Sequence, residues 1–183
     1  MRWRIEQDFR GNVLPIAHQS EFVFARRDDE LIVDIDAPYF GDPPPSAATD
    51  RLWDCEVAEL FIADHFEHYL EIELSPHGQH LVLELQGVRR IVRSRLPIDY
   101  AVQIIERTDP AHPELKGRYR GRARMPFVYL PRDPVRGNAY SIHGIGSARC
   151  YCAHNPPRGD APDFHRLESF VPLSLEEKSA QTD

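Results

Sequence analysis

The sequence predicts an all-β fold, an antiparallel β-sandwich or barrel that carries only short helical turns. Apolar and polar residues alternate with a period of two along much of the chain, and turns rich in glycine, proline and aspartate separate the alternating runs. The sequence shows no βαβ alternation and no internal repeat. A chain of 183 residues with 42% hydrophobic content can bury one core. We therefore expect a single β-sandwich domain over residues 1–175 and a polar tail over residues 176–183.

The alternation locates the strands in order. Residues 30–37 (ELIVDIDA) predict a half-buried strand, and the apolar run from Glu56 (EVAELFIA) predicts a central one. In HYLEIEL (68–74) the leucines and isoleucine should pack, while the face with Tyr69, Glu71 and Glu73 should stay polar. The turn 75–79 (SPHGQ) then predicts a hairpin into HLVLEL. Further strands are expected at 91–95, 100–106, 118–125, 140–144 and 170–175, with a helical turn at 126–130.

Charge and composition narrow the class of partner. A formal net charge of -7 argues against binding to nucleic acid or to an anionic membrane, because either needs a basic surface. The opening MRWRIEQDFRG lacks the apolar run of a signal peptide, and no later stretch approaches a membrane span. We expect a cytoplasmic protein with its three cysteines reduced. Cys150 and Cys152 should share a strand face, where packing is a better explanation than a metal site of only two ligands.

Glu59 is the first candidate site residue, because it interrupts an apolar strand on the face of Val57 and Phe61. A buried carboxylate needs a partner. Two interpretations stay open: an arginine-paired core glutamate, or an acceptor of hydrogen bonds from the hydroxyls of a ligand.

Two aromatic residues are candidate platforms for a sugar ring. Trp53 follows the proline-rich loop 38–51, and Phe164 lies in PDFH outside any periodic run. A flat ring can stack on the C–H face of a sugar with a large contact area. For Trp53 a place in the core is the competing interpretation.

Catalytic signatures are weak. Glu71 and Glu73 are side by side on one strand, whereas the carboxyls of a glycosidase face each other across the scissile bond. No nucleophile, nucleotide-binding or zinc-protease motif occurs in the sequence. We expect no catalytic residues.

Histidines and arginines add weaker candidates. His77, His80 and His143 could bind a metal, but their spacing is typical of solvated turns, and we expect no metal. Four arginines that alternate along one strand could bind a phosphate or carboxylate ligand, although a solvated outer face or pairing with acidic neighbours across strands is the favoured interpretation. This arginine strip consists of Arg118, Arg120, Arg122 and Arg124.

Several of these segments carry a resemblance to known families. LWD leading into EVAELF, then YLEI, SPHG and the closing DFH and ESF, resemble the family-9 carbohydrate-binding modules and the wider DOMON-like sandwiches, which have jelly-roll-like folds. ELIVDIDAPYFGDPPP, LWDCEVAELFI, YLEIELSPHGQHLVLEL, SIHG and PDFHRLESF are similar to a widespread uncharacterised family of small intracellular proteins. This second resemblance covers nearly the whole chain.

The resemblance implies roles for three residues. In the carbohydrate-binding modules two tryptophans enclose the sugar and a glutamate holds its hydroxyls. By motif, Trp53 corresponds to the first platform, Glu59 to the glutamate and Phe164 to the second platform, where phenylalanine replaces tryptophan. Haem-binding DOMON relatives use axial methionine and histidine, and Met125 before Pro126 is badly placed for this. We expect no cofactor.

The sequence thus favours a non-catalytic binding module for a small polyhydroxylated, carbohydrate-like ligand on a concave sheet face. Polar support for the three residues above should come from Glu71, His77, His143 and His165. The alternatives are an intracellular enzyme that uses glutamate and histidine groups on a sugar or metabolite, and a protein-interaction module. Oligomeric state is left open.

Overall fold

The protein is built from two antiparallel β-sheets packed face to face, in a computed structural model that describes residues 1–45 and 50–175. The all-β prediction is confirmed. The expected tail, residues 176–183, lies outside the described residues, and the single domain over 1–175 stays a prediction. No helix among the described residues is long and apolar enough to cross a membrane.

The elements of the described chain are thirteen strands and five short 3-10 turns. In chain order the strands are β1 (Arg2–Ile5), β2 (Gln7–Asp8), β3 (Ser20–Arg27), β4 (Glu30–Tyr39), β5 (Val57–Ala63), β6 (His68–Leu74), β7 (His80–Gln86), β8 (Ile91–Arg93), β9 (Asp99–Glu106), β10 (Gly117–Pro126), β11 (Arg136–His143), β12 (Cys150–Ala153) and β13 (Val171–Pro172). The 3-10 turns are Ile16–His18, Leu52–Asp54, Phe127–Tyr129, Gly146–Ala148 and Leu167–Ser169.

The smaller sheet has five strands in the order β1-β3-β4-β10-β9. The larger sheet has eight strands: seven follow the order β2-β12-β11-β5-β6-β7-β8, and β13 pairs with the first residues of β11. The main core lies between the sheets, where Phe22, Phe24 and Val33 of the smaller sheet meet Leu60 and Leu70 of the larger one. Period-two alternation supplies these residues, since every second side chain points inward.

The larger sheet is buried on its outer face as well, which the sequence did not predict. Tyr69, Glu71 and Glu73, expected on a polar face, are all buried. The C-terminal segment covers this face and forms a second apolar cluster with it through Phe164 and Phe170. A covering segment from a distant part of the chain leaves no mark on the alternation of β6 itself.

The arginine strip of β10 is paired with acidic residues of its neighbour β4, as favoured by the sequence. The antiparallel register places Arg120 and Arg122 opposite Asp36 and Asp34, while the other two arginines reach a carboxylate diagonally. The ion pairs are Arg118–Asp36, Arg120–Asp36, Arg122–Asp34 and Arg124–Glu30. Each arginine is already paired, with Asp36 shared by two of them, so the strip offers an anionic partner little free positive charge.

The cysteine pair of β12 also follows the prediction. Cys150 and Cys152 share the face that packs on the main core, with Sγ atoms 3.6 Å apart. The predicted strand 170–175 is reduced to Val171–Pro172, because a 3-10 turn precedes it and Pro172 has no amide to continue a ladder.

Candidate functional site

A partly open cavity of about 640 Å³ lies on the outer face of the larger sheet. Its floor is formed by side chains of β5, β6, β7 and β11, and its walls by the Leu52–Asp54 turn and by segments 144–149 and 162–165. These walls come from three regions that are far apart in sequence. The cavity is therefore a product of the fold and not of one local motif.

The cavity brings together five of the seven site residues that the sequence predicted: Trp53, Glu59, Glu71, Phe164 and His165. His77 and His143 do not line it. His77 hydrogen-bonds the carbonyl oxygen of Asp42 through Nε2 at 3.0 Å, and the His143 ring stacks on Phe40 with centroids 3.6 Å apart.

Glu59 lies on β5 with only 1% of its surface exposed, and its Oε1 atom has no hydrogen-bond partner. Burial raises the pKa of this carboxyl well above its usual value, the Glu71 carboxyl raises it further, and Arg149 opposes the rise. The guanidinium of Arg149 donates instead to the carbonyls of Gly144, Trp53 and Cys55. Among the described residues no arginine forms a direct ion pair with Glu59, so the arginine-paired interpretation lacks its expected contact.

Glu71 lies on β6 beside a chain of hydrogen bonds that ends at His165. The hydroxyl oxygen of Tyr69 accepts a hydrogen bond from the backbone N–H of Arg89 at 3.0 Å. The hydroxyl proton is therefore free to be donated to Nδ1 of His165, which lies 2.8 Å away. The proton of a neutral His165 ring is then on Nε2, which lies 3.9 Å from Oε2 of Glu71. That oxygen has no hydrogen-bond partner, so a ligand hydroxyl placed between the two atoms could bond both.

The protonation states follow from burial. It raises the pKa of Glu71 to about 8, against the opposing charge of Arg89. Burial and the Arg89 charge lower the pKa of His165 to about 4. At neutral pH both groups are therefore mostly uncharged, and each can act as donor and acceptor at once.

Glu73 completes a group of three buried carboxyls beneath the cavity. It lies opposite Glu59 in the β5–β6 register, and neither of its oxygens has a hydrogen-bond partner. Burial, followed by the carboxyls of Glu59 and Glu71, raises its pKa to about 11. Glu73 does not line the cavity, so its effect on the site is through its two neighbours.

The two candidate platforms, Trp53 and Phe164, both line the cavity but are exposed to different extents. Trp53 is half-buried, belongs to the Leu52–Asp54 turn and has its carbonyl held by Arg149. Phe164 is only 8% exposed and stacks on Tyr140, with ring centroids 3.9 Å apart and planes 7° apart. One face of Phe164 is thus already occupied, and only the remainder of the ring can meet a ligand.

Comparison with known proteins places the chain in a family. It is 36% identical over 183 residues to the human protein "UPF0462 protein C4orf33", a match that covers 93% of this chain and 86% of the relative. The zebrafish homologue is 36% identical over 176 residues, covering 89% of this chain and 84% of the relative. The chain belongs to the UPF0462 family. No family model matches it.

The fold of this UPF0462 protein is shared with a solved structure from Bacteroides uniformis, described as a "putative carbohydrate-binding protein". The two chains superpose with a TM-score of 0.71 and 13% sequence identity, over 96% of this chain and 86% of the other. At that identity the likeness concerns the fold.

Sequence reasoning missed the basic residues of the UPF0462 site. Arg89 follows the β7 strand in a turn, and Arg149 lies in the segment between β11 and β12, where no periodic pattern singles them out. Asp163 could have been found from the sequence, because it belongs to the PDFH motif. It forms an ion pair with Arg89 at 2.8 Å. Tyr151 was also missed and contributes to the wall beside Arg149.

The lining of the UPF0462 cavity consists of carboxyls, two guanidinium groups, one imidazole, aromatic rings and aliphatic side chains. Serine, threonine, cysteine and lysine do not occur in it among the described residues, so a covalent nucleophile in this cavity would have to be a carboxylate, His165 or Tyr151. Each of these polar and aromatic side chains can form hydrogen bonds or stacking contacts with a ligand.

Proposed function

We propose that this cavity binds a small polyhydroxylated ligand of the carbohydrate class and does not alter it chemically. The observation that carries the proposal is a pair of unsatisfied atoms, Oε1 of Glu59 and Oε2 of Glu71, on buried side chains that line the cavity. A buried polar atom without a partner costs about 1–3 kcal/mol. A ligand hydroxyl that bonds such an atom recovers part of that cost.

The protonation states favour hydroxyls as partners. Glu71, with its pKa near 8, carries a proton at neutral pH and can both donate and accept, as a hydroxyl does. Neutral His165 adds a donor at Nε2 on the same side. An anionic ligand would meet Arg89 and Arg149, but both are already bonded to protein groups.

Size and shape also support the proposal. A volume of about 640 Å³ lies within the range of roughly 300–1,000 Å³ that is usual for small-molecule sites. The half-buried ring of Trp53 offers a stacking surface for one face of a sugar ring. The shared fold with a "putative carbohydrate-binding protein" agrees with this ligand class.

A second candidate function, an acid-catalysed hydrolase, is favoured by the raised pKa of Glu59 and Glu71. Perturbed carboxyls that line one cleft are typical of catalytic acids. Incubation with chromogenic glycosides tests it directly. Hydrolysis by the wild type that is lost in Glu71→Gln would show that the protein is an enzyme. Sugar binding without hydrolysis would support the binding function instead.

The test of binding is a calorimetric titration of a panel of neutral mono- and disaccharides, followed in parallel by tryptophan fluorescence. Trp3 is buried in the core, so a ligand-dependent change in emission should come from Trp53. We expect one-site binding of at least one sugar. Absence of any binding across the panel at millimolar sugar contradicts the proposal.

Two variants assign the binding to this cavity. Glu59→Met removes the carboxyl while keeping an apolar side chain of similar length, and should lower affinity about tenfold or more, since 1.4 kcal/mol corresponds to a decade. Trp53→Ala should abolish the fluorescence response and weaken binding. Glu30→Gln, on the exposed face of the other sheet, is the control and should bind as the wild type does.

A further inference from the structure

A cluster of two histidines and one glutamate lies apart from the cavity, where the Ile16–His18 turn meets the loop between β9 and β10. Nε2 of His18 lies 2.6 Å from Oε1 of Glu114, and Nδ1 of His112 lies 3.2 Å from the same oxygen. One donor atom from each of the three side chains lies within 4.8 Å of the others. Their side chains are 16%, 27% and 45% exposed, so a solvated ion can reach them.

We propose that His18, His112 and Glu114 bind a divalent transition ion of the zinc class. Two imidazole nitrogens and one carboxylate oxygen form a ligand set that zinc uses in sites with a fourth, water-filled position. Tetrahedral bonds of about 2.0–2.1 Å put ligand atoms about 3.3 Å apart. The observed separations bracket this value, so an ion requires shifts of about 1 Å or a little more in side chains that are partly exposed.

The segment that carries His18 is held in place by Arg118. Its guanidinium donates to the backbone carbonyls of Ala17 and Gln19, on either side of His18, and is itself paired with Asp36. The edge of Phe40 contacts the His18 ring, with centroids 5.4 Å apart. The backbone on either side of His18 is thus held before any ion arrives, so only side-chain adjustment is needed, which lowers the entropic cost of binding.

The segment that carries the other two ligands is anchored as well. The His112 N–H donates to the Asp109 carbonyl, and the Leu115 N–H donates back to the His112 carbonyl, both at 3.0 Å. The next residue, Lys116, donates its N–H to the carbonyl of Tyr39 on β4 at 2.8 Å. These bonds hold His112 and Glu114 in one turn, both directed at His18.

The metal-free alternative is a hydrogen-bond network in which both imidazoles donate to Oε1 of Glu114. That network satisfies the same three atoms and needs no ion. Neither arrangement was found from the sequence, because His18 and His112 are far apart in the chain, and the proposal of a metal departs from the sequence-based expectation that the protein holds none. The two alternatives differ in whether zinc binds to these three side chains and stabilises the protein.

The experiment is a titration of metal-free protein with zinc chloride against a colorimetric chelator, repeated with cobalt(II) to record the visible spectrum of a tetrahedral site. We expect one equivalent of zinc to bind with micromolar or better affinity, and to raise the melting temperature. His112→Ala and Glu114→Gln should each weaken binding at least tenfold. His65→Ala, an exposed histidine in another turn, is the matched control and should bind zinc as the wild type does.

Two results would overturn the proposal: no zinc uptake by the wild type, or equal uptake by the wild type and both ligand variants. Glu114 has the most exposed side chain of the three, so Glu114→Gln should fold. The melting curve of this variant without zinc checks that it does. Sugar binding at the cavity does not depend on this cluster, because none of the three residues lines the cavity. Failure of one proposal therefore leaves the other intact.

Discussion

Glu59 and Glu73 lie directly opposite each other across the β5–β6 pair, so two buried carboxyls face the same side of the sheet at one register position. Glu71 precedes Glu73 by two residues in β6 and lies on the same face. Like charges at such close positions cannot all ionise in a medium of low dielectric constant. The native protein must therefore hold protons in this group that the unfolded chain would release at neutral pH.

We predict that Glu73→Met stabilises the protein. The substitution removes two buried oxygens that have no hydrogen-bond partner and replaces them with an apolar side chain of similar length. The expected gain is about 1–3 kcal/mol in the free energy of unfolding, measured by urea denaturation. Glu30→Met on the exposed face is the control, with a change within about 0.5 kcal/mol. A loss of stability in Glu73→Met would reveal that the carboxyl has a structural partner.

We also predict that stability falls as pH rises above neutrality. The pKa of Glu71 is raised to about 8 and that of Glu73 to about 11 in the folded protein, from 4.5. Stability from these protons is complete below the unfolded pKa and is lost as pH rises through the folded values. Between about pH 6.5 and 8.5 the loss should be at least about 2 kcal/mol, at roughly 1.4 kcal/mol per pH unit for each retained proton.

The same measurement on Glu73→Met isolates the cause, since the pH dependence should become shallower when one retained proton is removed. His165 does not interfere in this range. Its folded pKa is lowered to about 4 from 6.5, so it reduces stability only as pH falls below the unfolded value. A pH profile that is flat in the wild type, or identical in the variant, would show that these carboxyls are ionised in the folded state.

The strands were predictable where alternation was long and unbroken. β6 and β7 and their hairpin follow the predicted bounds closely, because apolar residues recur at every second position in both strands, even though the positions between them proved to be mostly buried as well. β1, β2, β3 and β12 were missed, although Phe22 and Phe24 in β3 do alternate. β12 has four residues, too few for a period-two pattern to stand out from chance.

The site was predictable only in part, for a geometrical reason. Glu59 could be found because a carboxyl in an apolar strand is unusual. His143 was placed on the wrong face for the cavity: Ile142 lines the cavity, and a step of one residue along β11 turns the side chain to the opposite side. Arg89 and Arg149 reach the cavity from separate turns, and such convergence is a property of the tertiary fold.

Asn138 on β11 should be a sensitive polar residue, because it ties the larger sheet to the C-terminal segment that covers it. It is fully buried, its amide nitrogen is within hydrogen-bond distance of the carbonyls of Asn155 and Ser169, and its Oδ1 accepts from the Asn155 N–H. Asn138→Ala leaves these groups unpaired and should cost about 2–4 kcal/mol in unfolding free energy. Asn12→Ala is the exposed control, with a cost of about 1 kcal/mol or less. A loss of similar size in both variants would contradict the role of Asn138.

The last prediction concerns the hydroxyl of Tyr69, which connects the Arg89 backbone to Nδ1 of His165. Tyr69→Phe keeps the ring in the second apolar cluster and removes one oxygen, so it should cost about 1–2 kcal/mol of stability. A hydrogen bond donated to Nδ1 stabilises the neutral imidazole, so its loss should raise the pKa of His165 above about 4. Titration of the ring by NMR measures this shift, and His68, which is bonded to Glu84 on the same sheet, serves as an internal reference. An unchanged pKa of His165 in Tyr69→Phe would mean that burial and the Arg89 charge are enough to keep the imidazole neutral without the Tyr69 bond.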